Sequence, residues 1–181
     1  MAGAKAKRDE LGLSGGAWGL PRAKEAALRI LAKPALVKRL IEALLSDDST
    51  LRWHTADVAR RVCERNPDLL SPYAGEIIGA FSESSEDNWR ARAHLGLVAA
   101  RVARSRAERL RVAGLLMPLY RDSSNVVRCT AIEGLGFLAR DEASLRPQFE
   151  AIAEEALVTG TLAMKDRARH GLTRLDRRLR S

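Results

Sequence analysis

The feature that most limits what this chain can fold into is a repeat of about 38 residues. Four segments each begin with a large apolar residue followed by Arg or Lys, and their spacings are 38, 38 and 37 residues. The apolar residues that begin them are Leu51, Trp89, Val127 and Met164. A period of 20–50 residues is typical of stacked arrays, in which each repeat buries its apolar face against its neighbours.

Each segment continues as one face of a helix. Positions 0, 4, 8 and 11 after the start are apolar or small in every unit, as in the run Val127, Ala131, Leu135 and Leu138. This spacing follows the 3.6-residue period of an α-helix. Position 7 is glycine in three of the four units. Because glycine costs about 1 kcal/mol in a helix, the column predicts close approach of a neighbouring helix.

A second helix follows the first in most units, and short links rich in Ser, Asp and Asn precede each first helix. Residues of these types are favoured helix N-caps. Pro34 should break the first, less regular pair, and Pro118 should bend or end its helix. We therefore predict about nine helices in one domain over residues 21–181, after a flexible tail over residues 1–20. The predicted pairs cover about 22–46, 49–81, 87–120 and 124–158, with a terminal helix at 161–180.

The pattern resembles the HEAT-repeat family. The residues that carry the resemblance are the apolar-Arg/Lys pairs, the small residue that follows each, and the polar link that precedes them. The small residues are Thr55, Ala93, Ala131 and Ala168. The resemblance covers about residues 22–180 and implies an all-α, right-handed superhelix of helical pairs. It also implies a scaffold or binding surface, since most of the family acts in that way.

Composition excludes several other classes of protein. The chain has 181 residues, of which 46% are hydrophobic, so it can bury a core. No apolar run approaches the ~20 residues of a membrane-spanning helix, and the N-terminus lacks the apolar core of a signal peptide. We therefore expect a cytoplasmic protein that does not bind a membrane. Cys63 and Cys129 have no metal-ligand spacing and are expected to be free thiols.

The formal net charge is +8, and the repeat register sorts the charges. Acidic residues precede the first helices, and arginines gather where those helices end. One interpretation is that the charges complement helix dipoles, at ~0.3–1 kcal/mol each. The other is a ridge that binds phosphates or an acidic protein. The candidate ridge consists of Arg61, Arg65, Arg101, Arg104, Arg106, Arg140, Arg174, Arg177 and Arg178.

Motifs that would indicate catalysis are missing from the sequence. It has no nucleophile elbow and no glycine-rich phosphate loop. No histidine is followed by glutamate, so the His-Glu dyads of the iron-binding HEAT hydroxylases are missing. We expect His94 to be half-buried and His54 and His170 to be exposed. The segment Asp87-Asn88-Trp89-Arg90 bears a faint resemblance to HEAT-like DNA glycosylases, which is a remote alternative. No catalytic residue, metal or cofactor is predicted.

The function that we expect is non-catalytic binding of a protein partner. Trp53 is either packed against the N-terminal helices or exposed as a binding anchor. Trp18 likewise either packs against the first helical pair or contacts a partner. Binding of a nucleic-acid backbone along the arginine ridge is the alternative. The residues predicted to contact a protein partner are Trp53, Glu76, Arg109, Arg111, Glu150 and Glu154.

Overall fold

The fold is built from helices that follow the order predicted by the repeat. The computed structural model describes residues 11–13, 18–84 and 88–179, with side chains as far as residue 176. Within these ranges the backbone forms helices, turns and loops without any strand, which confirms the all-α prediction. Among the helices so described, none is both long enough and apolar enough to span a membrane.

Nine α-helices lie in the described part of the chain, in agreement with the predicted number. They are α1 (Leu20–Ala32), α2 (Val37–Leu44), α3 (Ser49–Arg65), α4 (Ala74–Ser82), α5 (Trp89–Val102), α6 (Arg106–Leu116), α7 (Asn125–Asp141), α8 (Arg146–Thr159) and α9 (Leu162–Leu179). Short 3-10 turns lie between some of them, as at Pro34–Leu36 and Pro118–Arg121.

The polar links and prolines set the helix ends. Asp48 caps α3, since its Oδ1 accepts a hydrogen bond from the Leu51 N–H at 2.9 Å. Ser105 and Glu108 form a capping box at the start of α6, in which each side chain accepts a hydrogen bond from the other residue's N–H. α1 and α6 both end shortly before a proline, as predicted for Pro34 and Pro118.

Contacts divide the chain into two compact units, Met1–Val98 and Ala99–Ser181. In the first unit α1 and α2 pack on α3, and α2 also contacts α4. In the second unit α9 packs on α7 and α8, and α6 packs on α7. Each unit has fully buried apolar side chains, such as Ile30 and Leu51 in the first and Phe149 and Ile132 in the second. The predicted single domain over residues 21–181 stays a prediction.

Part of the predicted flexible tail is packed. Leu11 and Leu13 are buried in the first unit. Between them Gly12 has φ of +74°, and a Cβ there would lie 3.3 Å from Cζ of Arg29. The positive φ and this close approach together favour glycine. Residues 1–10 and 14–17 of the predicted tail lie outside the described residues, and the flexible tail over residues 1–20 stays a prediction.

Two glycines of the predicted column lie where a neighbouring helix comes close. A Cβ at Gly134 would lie 2.7 Å from Cδ1 of Leu116 on α6. A Cβ at Gly171 would overlap the ring of Phe149 on α8. The close approach predicted from the sequence is confirmed at these two positions, where α7 meets α6 and α9 meets α8.

Candidate functional site

The strongest concentration of charged side chains in the second unit is a group of arginines around Glu133 and Phe137. These arginines come from three different helices. The two side chains that they surround both lie on α7. We call the four the arginine cluster: Arg101 of α5, Arg140 of α7, and Arg167 and Arg174 of α9.

Helical spacing places the members of the site. Glu133, Phe137 and Arg140 lie at positions i, i+4 and i+7 of α7 and therefore share one face. Arg167 and Arg174 are likewise seven residues apart on α9. Since α7 and α9 pack directly against each other, the α9 arginines reach the same face of α7.

Glu133 is the carboxylate at the centre of the site. Its side chain is only 12% exposed. Its Oε1 lies 3.5 Å from Nη2 of Arg101, and its Oε2 lies 3.2 Å from Nη1 of Arg167. Each oxygen therefore faces one guanidinium from a different helix. A buried charge needs such partners because burial without them is costly.

Phe137 lies one turn after Glu133, and its ring contacts two arginines of the cluster. The guanidinium carbons of Arg101 and Arg174 lie 4.2 and 4.4 Å from the centroid of its ring. Both distances are within the range in which a cation is attracted by an aromatic face, at about 0.5–2 kcal/mol each. The ring therefore holds two like charges next to each other and restricts how their side chains move.

Arg174 is the member with the fewest compensating partners. Burial, with the positive charges of Arg101, Arg140 and Arg167, lowers its pKa below the ordinary value, and Glu133 opposes this shift. Its Nη1 is buried and has no hydrogen-bond acceptor among the described residues. Guanidinium groups stay charged in proteins, so Arg174 is a partly buried cation whose Nη1 lacks an acceptor among the described residues.

Arg140 is compensated by its neighbour in sequence. Asp141 accepts two hydrogen bonds from it, from Nε at 3.0 Å and from Nη2 at 2.7 Å, and this raises the pKa of Arg140. With Glu133 and Asp141 counted, four arginines face two carboxylates. Among the described residues, the site therefore has two more guanidinium groups than carboxylates.

Three members of the predicted arginine ridge meet in this cluster: Arg101, Arg140 and Arg174. Sequence reasoning missed Arg167 as a ridge member, and it missed Glu133 and Phe137. The signal that could have found the latter two is their spacing before Arg140 on one helical face. Arg167 could not be assigned in this way, because its role depends on how α9 packs against α7.

The other ridge residues lie elsewhere. Arg61 belongs to the first unit, where its Nε lies 3.1 Å from Oδ1 of Asp57. Arg106 Nε lies 3.6 Å from Oε2 of Glu142. Arg65 and Arg104 are exposed. The side chains of the last two predicted ridge residues lie outside the described ones: Arg177 and Arg178.

The residues predicted to contact a protein partner from second helices are mostly at the surface. Arg109 is half-buried, and its guanidinium donates a hydrogen bond to the backbone oxygen of Arg104. The rest are exposed: Glu76 on α4, Arg111 on α6, and Glu150 and Glu154 on α8.

Trp53 belongs to an aromatic group in the first unit. Its ring meets the Trp18 ring edge-on at 5.9 Å, and Trp18 stacks on His54 at 4.1 Å. The guanidinium carbon of Arg90 lies 5.7 Å from the centroid of Trp53 and 4.6 Å from that of Trp89. Trp18 therefore docks back onto α3, and Trp53 is half-buried. The prediction of an exposed His54 is wrong, because Trp18 covers it.

A cleft opens beside this aromatic group, at the first turns of α3 and α5. Its volume is about 310 Å³, and Arg52, Trp53, Trp89 and Arg90 line it together with Ser49, Thr50 and Asn88. The described lining contains no histidine, cysteine or carboxylate. The cleft therefore offers guanidinium, hydroxyl, amide and aromatic contacts to a ligand.

Other reactive side chains lie apart or are engaged in contacts. His94 Nε2 lies 3.9 Å from Oδ1 of Asp57. Cys63 and Cys129 are free thiols, and burial raises the pKa of Cys129. In the ranges that the structure describes, no three His, Cys, Asp or Glu side chains are grouped so as to hold a metal ion.

Comparison with known proteins adds no relative: no protein-family model matches the sequence, and neither does any curated protein.

Proposed function

We propose that this chain is a non-catalytic interaction module that binds an anionic segment of a partner protein at the arginine cluster. The proposal includes a HEAT-like, right-handed superhelix as the arrangement of the helical pairs and a cytoplasmic location. The repeat spacing and the nine helices support the architecture. The arginine cluster supports the mode of binding.

The observation that carries the proposal is the uncompensated charge of the cluster. Three helices bring four guanidinium groups to two carboxylates, and Arg174 has no ion pair within the described residues. A localised positive patch of this kind attracts anionic partners and accelerates their encounter. Arginine is also well suited to an interface, because its planar fork binds carboxylate and phosphate with two parallel hydrogen bonds.

Residues on the second helices supply the remaining contacts in this proposal. Arg111, Glu150 and Glu154 are exposed in the second unit, the unit that contains the cluster. Such side chains would form a polar rim, which excludes water and adds little affinity by itself. The affinity is expected to depend on the cluster.

Binding of a nucleic-acid backbone along the whole ridge is the second candidate, and the ion pairs disfavour it. Arg61, Arg101, Arg106 and Arg140 each lie within 4 Å of a carboxylate. A strand needs a succession of uncompensated cations, since each phosphate contact contributes by releasing a counterion. Four of the seven ridge arginines whose side chains the structure describes are therefore already ion-paired.

The experiment uses a fluorescent polyglutamate peptide as the anionic probe and the full chain at low salt. We expect binding that weakens as salt is added, because the attraction is between charges. Replacing both Arg140 and Arg174 by Gln should lower the affinity about tenfold or more.

The matched control replaces Arg65 and Arg169 by Gln, which removes the same charge from exposed positions outside the cluster and the rim. It should change the affinity by no more than about twofold. If both double variants weaken binding equally, or if the unmodified chain does not bind the peptide, binding of an anionic segment at the cluster is wrong.

A further inference from the structure

We infer that the arginine cluster recognises one phosphorylated side chain of its partner, with Arg174 as the principal contact. This inference rests on the proposed function and specifies the ligand of that site as a phosphate monoester on a serine or threonine. It draws on the charge of the cluster, on the carboxylates already present, and on the ring that holds two of the arginines.

The charge of the cluster matches that of a phosphate monoester. In the part of the chain that the structure describes, four arginines face Glu133 and Asp141, so guanidinium groups outnumber carboxylates there by two. A phosphorylated serine or threonine carries about −1.5 to −2 at neutral pH and has three acceptor oxygens. A single carboxylate carries one negative charge and would leave half of the excess uncompensated.

The carboxylates inside the site leave Arg174 available. Glu133 directs its two oxygens to Arg101 and Arg167, and Asp141 is engaged by Arg140. No described carboxylate lies within ion-pair distance of Arg174, its side chain is partly exposed, and its buried Nη1 has no hydrogen-bond acceptor. An incoming anion would therefore add contacts at Arg174 without having to displace an internal ion pair.

Phe137 prepares the site for such an anion. It holds the guanidinium groups of Arg101 and Arg174 over one ring, at 4.2 and 4.4 Å from the centroid. Their conformational freedom is thus restricted before the ligand arrives, which lowers the entropic cost of binding. Clusters of arginine are a recurrent means of recognising phosphorylated peptides.

The same contacts favour one phosphate over a row of phosphates. Glu133, Asp141 and Glu142 lie among the arginines of this unit, and Glu142 is within 3.6 Å of Arg106. A nucleic-acid strand that followed the arginines of this unit would also meet these carboxylates. A single side-chain phosphate needs to reach Arg174 and its nearest neighbours only.

The test compares three mixtures of short degenerate peptides that are identical except at a central position, which is phosphoserine, glutamate or serine. Affinities for the full chain are measured by fluorescence anisotropy, with a single-stranded oligonucleotide as a fourth probe. We expect the phosphoserine mixture to bind about tenfold tighter than the glutamate mixture, and inorganic phosphate to compete with it.

Two variants assign the effect to Arg174. Arg174→Lys keeps the positive charge but loses the planar guanidinium that donates two parallel hydrogen bonds. It should therefore remove most of the difference in affinity between the phosphoserine and glutamate mixtures. Arg169→Lys makes the same change at an exposed position outside the cluster and the rim and should leave that difference unchanged. Circular dichroism and the unfolding midpoint establish that both variants are folded, and Arg174→Gln provides a second substitution at the site.

The outcomes separate this inference from the proposed function. If phosphoserine and glutamate mixtures bind equally well, the inference is overturned and anionic-segment binding stands. If the polyglutamate peptide binds and the phosphoserine mixture does not, the inference is likewise overturned. A third result would be that the oligonucleotide binds more tightly than every peptide and that Arg174→Lys abolishes its binding. That result would overturn both the inference and the proposed function and would indicate binding of nucleic acid.

Discussion

At the scale of single residues, His94 shows how packing changes the chemistry of a side chain. It lies on α5 with its side chain 23% exposed, and its Nε2 is 3.9 Å from Oδ1 of Asp57. Burial lowers its pKa to about 4; Asp57 opposes the shift, and Arg60 and Arg61 add to it. The imidazole is therefore neutral at neutral pH and contributes packing and polar contact without a charge.

This shift makes the folded state sensitive to mild acid. An unfolded histidine titrates near pH 6.5, above the folded value, so unfolding takes up a proton as the pH falls between the two. The contribution of His94 to stability is complete above about pH 6.5 and is lost toward pH 4. Between about pH 7 and pH 5 we expect the free energy of unfolding to fall by roughly 2 kcal/mol.

Urea unfolding at the two pH values measures this effect. His94→Gln should make the free energy of unfolding nearly constant over the same interval, because it removes the proton uptake. His170→Gln is the matched control, since the His170 side chain is 61% exposed, and it should keep the dependence of the unmodified chain. An unchanged acid sensitivity in His94→Gln would contradict the assignment.

At the scale of helices, the second unit depends on the close approach of α7 and α9 next to a large ring. A Cβ at Gly136 would lie 3.3 Å from the Cα of Gly171. Phe149 of α8 packs against both positions and is only 1% exposed. The two glycines thus leave space that the ring fills. This packing also brings Arg167 and Arg174 to the face of α7 that carries Glu133 and Phe137.

Gly171→Ala is therefore expected to destabilise the chain. Alanine favours a helix over glycine by about 1 kcal/mol. The added methyl group would overlap the buried ring of Phe149, however, and overpacking of this kind costs about 1–3 kcal/mol. A lower midpoint of urea unfolding would show that the overlap outweighs the gain.

Gly114→Ala provides the control within the same unit. Gly114 lies in α6, and a Cβ there would meet no other atom within 4 Å. This substitution should raise the free energy of unfolding by up to about 1 kcal/mol. If both substitutions stabilise to the same extent, the tight contact at Gly171 is not real.

At the scale of the whole molecule, the net charge of +8 does not show where positive charge is available to a ligand. Some arginines have a carboxylate partner, and others do not. Ion pairs join arginines to carboxylates in each unit, as between Arg61 and Asp57 in the first and Arg121 and Glu155 in the second. In the arginine cluster the described guanidinium groups outnumber the described carboxylates near them. The charge of the chain is therefore a poor guide to the number of phosphates that it can bind.

The salt dependence of nucleic-acid binding tests this distribution. With an excess of two charges at the cluster, the slope of log K against log salt for a single-stranded oligonucleotide should not exceed about 2 in magnitude. Anisotropy titrations at several salt concentrations give the slope. A slope of about 5 or more would show that a continuous basic track exists and would contradict the charge pairing described above.

The sequence by itself determined the helices of this protein. Their number, order and approximate ends could be predicted because periodicity, N-caps and prolines act over a few residues, as at Asp48 and Pro118. The glycines at position 7 of the repeat likewise predicted close helix contacts, which the structure shows at Gly134 and Gly171. These features depend on local backbone geometry or on a regular spacing, both of which are visible in a linear chain.

Only the tertiary structure decided which side chains meet. Arg167 joins the cluster because α9 packs against α7, whereas Arg61 is engaged by Asp57 in the other unit. In the same way Leu11 is buried, although no periodic pattern marks it as part of the core. The direction of a long side chain and the choice of its partner depend on residues far away in sequence. Those choices follow from packing energies that local patterns do not contain.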